Sequence, residues 1–167
     1  MDVTLWLTEM ARLLNELKEV DIGYPQGSNM LYPPTKEGLE KLLFKTSTPL
    51  SLVIFYQSCG GLDLEDLSNG YFIHSPEIIL QGLESGEPTS ISGRYAGPII
   101  VFGSDGGGGR FSLRLEENDS EVLYLPSSGS VYSSVYNGEQ NSVQIKCGNF
   151  NSFLEILKAD LSHYIHN

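Results

Sequence analysis

The chain has 167 residues and a formal net charge of −11, with 18 glycines and two cysteines. This length suits one domain whose core needs no staples, and Cys59 and Cys147 lack the spacing of a zinc site or a disulfide framework. The acid excess argues against nucleic-acid binding, which uses Lys and Arg to displace phosphate counterions; no apolar run is long enough to span a bilayer, and Met1-Asp2 begins no basic leader. A reduced, cytoplasmic protein without cofactor or metal is the expectation.

Val3, Trp6, Met10, Leu13, Leu17 and Val20 recur at spacings of three and four, so residues 3 to 21 are expected to form an amphipathic helix capped by Thr4 or Asp2. Arg12 stands three residues from Glu9 and four from Glu16, the spacings at which helical side chains meet. Asp21 to Pro34 carries two glycines and three prolines and is expected to be a connector. Thr35 suits the cap of a short helix with Leu39, Leu42 and Leu43 on its apolar side. Pro49 starts another, with Leu50, Val53, Ile54 and Tyr56 inward and Gly60-Gly61 as a left-handed stop.

Leu62 to Asp66 and Tyr71 to His74, separated by Asn69-Gly70, are expected to be two antiparallel strands. Ser75-Pro76-Glu77 has the composition of a helix start. Gly97 to Leu115 then reads as a hairpin at the centre of the sheet. Ile99, Ile100, Val101 and Phe102 form a run buried on both faces, while Phe111, Leu113 and Leu115 alternate with Ser112, Arg114 and Glu116 as a strand with one wet face. Its turn, Gly103 through Gly109 (Gly103, Asp105, Gly106, Gly107, Gly108, Gly109 with Ser104), is expected to use positive φ, and Asp105 to bond its own backbone. Strands follow at Glu121 to Leu125 and Val143 to Cys147. Val131 to Tyr136 fits neither pattern firmly. A last amphipathic helix with Phe153, Ile156, Leu157, Leu161, Tyr164 and Ile165 on its apolar side is capped by Asn151 or Ser152, the latter three before Glu155.

Tests for chemistry return little. The glycine-rich turn lacks the Lys and following helix of a phosphate loop. His163 and His166 stand three apart with no third ligand, and neither Cys59 with His74 nor Cys147 with His163 forms a nucleophile motif. Asp63, Glu65 and Asp66, or Glu116, Glu117, Asp119 and Glu121, can supply the two carboxylates of a hydrolase, but they read more simply as solvated turns. Residues 59 to 145 hold twelve acids against Arg94, Arg110 and Arg114, so −9 of the −11 lies in the strand-rich middle. Such a charge confers solubility or steers a basic protein partner.

Three stretches together resemble the SUKH superfamily: Pro49 to Gly61 as its Pro-led helix ending in glycine, Ile99 to Leu115 as its strand, glycine turn and returning strand, and Asn149 to Leu157 as its closing helix. The resemblance spans about residues 35 to 165, leaving the first helix and connector as an elaboration. It implies an α+β domain with a curved, mostly antiparallel sheet flanked by helices, and no catalytic residues. Members resemble a fungal regulator of cell-wall glucan synthesis and serve in bacteria largely as immunity proteins. The expected function is therefore neutralisation of a toxin, in the first instance a basic nuclease, by direct binding, with cell-wall scaffolding as the alternative. Asp63, Glu65, Asp66, Glu116, Glu117, Asp119 and Glu121 are the expected partner-binding residues, exposed and of little weight in folding.

Overall fold

The computed structural model describes residues 1 to 115, 120 to 137 and 143 to 166. It is α+β, with a curved, mostly antiparallel sheet flanked by helices. In chain order the elements are α1 (Val3–Leu17), β1 (Asn29–Tyr32), α2 (Lys36–Lys45), α3 (Leu50–Tyr56), β2 (Gly61–Leu64), β3 (Tyr71–Ile73), α4 (Pro76–Ser85), β4 (Ser90–Ile91), β5 (Gly97–Asp105), β6 (Arg110–Arg114), β7 (Val122–Leu125), β8 (Ser130–Tyr132), β9 (Val135–Asn137), β10 (Gln144–Cys147) and α5 (Phe150–His166).

The hairpin β5–β6 is the spine of the sheet. One edge of β5 pairs with β6, while the other takes β4 at Gly97 and Pro98 and β3 at Gly103 to Asp105. From β3 the sheet runs outward through β2 to β1, from β6 through β7 to β10, and from β4 through β9 to β8; among the described residues only β4 and β9 run parallel. Ile100 and Phe102 of β5 enter the main core, and Ile99 and Val101 a smaller one under β8 and β9 with Leu123, Leu125 and Tyr136. Burial on both faces accounts for the unbroken apolar run.

The main core joins this sheet to α1, α3 and α5. Phe102 meets Phe150 edge-on at 5.1 Å, and Phe111 lies 4.9 Å from Phe153, separations at which aromatic pairs add to plain burial. Trp6 Nε1, buried, donates to the Leu154 carbonyl at 2.9 Å and locks α1 to α5. The first helix thus shares the central core.

Several local expectations are corrected. The connector contains β1, paired along its length with β2. Leu43, Leu50 and Ile54 face outward at 45%, 60% and 44% exposure, while Leu52, Phe55 and Cys59 join Tyr56, expected inward, in the buried stripe of α3 and its end. At Gly60 a Cβ would collide with the Pro33 carbonyl, so close approach to the end of β1, not a left-handed stop, requires glycine there. Ser112 is fully buried, its hydroxyl without a hydrogen-bond partner among the described residues. Asn149 caps α5, its Oδ1 accepting from Ser152 N at 2.8 Å. Residues Val131 to Tyr136 form the β8–β9 hairpin.

Candidate functional site

The glycine turn holds no reactive group. Asp105 Oδ1 accepts from Gly107 N at 2.9 Å and Gly109 N at 2.7 Å, and Oδ2 accepts from the Tyr124 hydroxyl at 2.7 Å. Burial, then the bond to Asp105, pushes the Tyr124 hydroxyl up to about 12. Among its glycines only Gly108 has a left-handed φ, at 82°. The remainder are needed for contact: Gly106 N donates to the Asn69 carbonyl at 2.8 Å, and a Cβ there would sit on that oxygen. The two turns, 65 to 70 and 105 to 109, are packed together.

The acidic residues of the first turn are not spare charges. Asp66 is buried; its Oδ2 accepts from Gly27 N at 3.0 Å and Asn29 Nδ2 at 2.5 Å, while Asn29 Oδ1 accepts from Asp66 N at 3.2 Å. Glu65 is exposed and its Oε2 accepts from Ser28 N at 2.7 Å. These bonds staple the segment before β1 to the end of β2. Asp63 is half-buried and accepts from the Tyr32 hydroxyl at 2.6 Å. Glu116, Glu117 and Asp119 lie outside the described residues, and Glu121 is half-buried just before β7.

The structure brings Asp63 instead to a groove of about 430 Å³ between the sheet and the start of α4, lined by Tyr32, Asp63, Phe72, His74, Ile78 and Ser104 among others. Register places it there: Met30 opposes Asp63, Asp63 opposes Phe72, and Phe72 opposes Ser104 across four strands. A bulge between Val101 and Gly103 lets Phe102 enter the core while Ser104, two residues on, faces the groove. His74 is held by its backbone, N donating to the Phe102 carbonyl at 2.9 Å and O accepting from the Tyr56 hydroxyl at 2.7 Å. A second cavity of about 190 Å³ lies between His74, Val101 and α4, where β3 and β4 diverge along β5.

The groove sets His74, Ser104 and the Asp63 carboxylate beside the rings of Tyr32 and Phe72. His74 Nε2 lies 2.9 Å from Ser104 Oγ, and burial lowers the imidazole below its ordinary 6.5, so it is neutral at pH 7. The bond to Asp63, then burial, raises the Tyr32 hydroxyl. Asp63 and Glu87 both act on His74, and Glu65 on Tyr32. Arg110, the nearby cation, is held by Glu87 at 2.5 Å. Among the described residues no carboxylate bonds His74 Nδ1, so Ser104 and His74 lack the third group that orients a nucleophile and its base.

Neither cysteine has thiolate character, since burial pushes both thiols up, and among the described residues no group of His, Cys, Asp and Glu has the arrangement of a metal site. Among the described residues no helix is long and apolar enough to cross a membrane. Compared with known proteins, the chain matches no family model and no curated protein. Tyr32, Phe72 and Ser104 escape sequence reasoning. The usable signal was the alternation of Tyr71 to His74, which sets Phe72 and His74 opposite the core-facing Tyr71 and Ile73.

Proposed function

We propose that this chain is a non-enzymatic binding protein, an immunity protein that neutralises a basic toxin by occupying its surface. The observation that carries the reading is the open groove, an apolar and aromatic floor with the Asp63 carboxylate in its lining, on a chain of net charge −11. Interfaces are built in this way, with aromatic anchors at the centre and charge around them. A nuclease is a fitting target because its polyanionic substrate demands a basic surface, which an acidic protein both steers toward and covers. The resemblance to the SUKH superfamily in the hairpin and closing helix supports the same reading, with cytoplasmic action beside the toxin.

Co-expression with the product of the adjacent reading frame tests it. Rescue of a host that the product otherwise kills, with a stable complex of the two purified proteins, is expected. A product that is harmless, or one that kills despite this chain, contradicts the proposal, and a harmless wall-assembly enzyme in its place favours scaffolding.

A further inference from the structure

We propose that the groove takes one arginine side chain of the protein partner, stacked on Tyr32 and Phe72 with its guanidinium on the Asp63 carboxylate. This rests on the binding reading above and adds the chemistry of the anchor.

Four features select that occupant. The floor offers the rings of Tyr32, 36% exposed, and half-buried Phe72, beside Ile78 at 51%; aromatic faces attract cations and stack on the planar guanidinium. Asp63 spends Oδ2 on the Tyr32 hydroxyl, and among the described residues Oδ1 has no hydrogen-bond partner and the carboxylate no ion pair. A free carboxylate oxygen beside a bonded one is what a donor fork can use. Arg110 and Glu87 neutralise each other in an ion pair, which leaves Asp63 as the carboxylate that lines the groove without a cation beside it among the described residues. Finally, about 430 Å³ is at the small end of ligand sites, room for one long side chain and not for a helix. Ser104 Oγ supplies a further acceptor beside neutral His74. Lysine fits less well, because its compact, strongly hydrated ammonium neither stacks nor forks.

The test is an amide-resonance titration of the whole protein with N-acetyl-arginine amide, against the uncharged isostere N-acetyl-citrulline amide. Saturable shifts confined to Tyr32, Asp63, Phe72, His74 and Ser104 are expected with the arginine probe, with at least fivefold weaker binding of citrulline. Asp63→Asn keeps an acceptor for the Tyr32 hydroxyl and should weaken the arginine probe by a similar factor. Equal binding of the two probes, shifts spread over other surfaces, or an unchanged titration in Asp63→Asn overturns the proposal. A toxin complex that forms while the arginine probe ignores the groove removes the anchor and leaves the function. A groove that binds the probe on a chain that protects against no toxin removes the function and leaves the anchor.

Discussion

Asp105 shows how one side chain can organise a turn made largely of glycine. Its carboxylate receives two backbone N–H groups and the Tyr124 hydroxyl, and bonds to a charged acceptor are the stronger kind. Asp105→Ala should cost about 2 kcal/mol and Tyr124→Phe about 1 kcal/mol in urea denaturation; equal stability of all three proteins would remove the carboxylate from this role. His74 sets a pH dependence. Burial favours its neutral form, so the folded value lies below the ordinary 6.5 and the unfolded chain binds more protons between the two. The stabilisation is complete above pH 6.5 and is lost as the pH falls from there toward the folded value. Thermal melts should show a steeper decline between pH 7 and pH 5 for the wild type than for His74→Gln, and parallel slopes would count against a buried neutral imidazole.

At the scale of elements, the segment before β1 depends on Asp66. The strand has four residues at a sheet edge, and its approach is fixed by the bonds of Asp66 and Glu65 to Gly27, Ser28 and Asn29. Asp66→Ala leaves donors on Gly27 and Asn29 unpaired and should cost about 2 kcal/mol, with faster hydrogen exchange over 26 to 32 than elsewhere; uniform exchange would show that pairing with β2 suffices. Sequence patterning could not see this. Asp63, Glu65 and Asp66 look alike in sequence, and only the return of residues 26 to 32 alongside β2 separates a clamp from a surface charge. The faces of α3 were illegible for another reason. In Leu50 to Tyr56 nearly every position is apolar, so the periodic contrast that marks a buried stripe is missing. Where contrast existed, as in α1, the stripe Val3, Trp6, Met10, Leu13 and Leu17 was readable and is buried.

At the scale of the whole molecule, the hairpin was legible because its two signals agree, an apolar run buried on both faces and a turn too rich in glycine for anything else. The mostly antiparallel sheet and its flanking helices were expected from the resemblance that this hairpin helps to carry. The groove was not, since it is assembled from β1, β2, β3, β5 and α4, and a bulge in β5 decides that Ser104 faces it. Among the described residues, the groove with Phe72 and the α2 face with Phe44, 94% exposed, both leave apolar surface open. The groove sets the rings of Tyr32 and Phe72 beside the Asp63 carboxylate, and the account places the partner there. Titration calorimetry of the proposed toxin partner against Phe72→Ala and Phe44→Ala distinguishes the two most directly. At least a tenfold loss of affinity for Phe72→Ala with Phe44→Ala unchanged is the predicted result; wild-type affinity in Phe72→Ala and a loss in Phe44→Ala would contradict it.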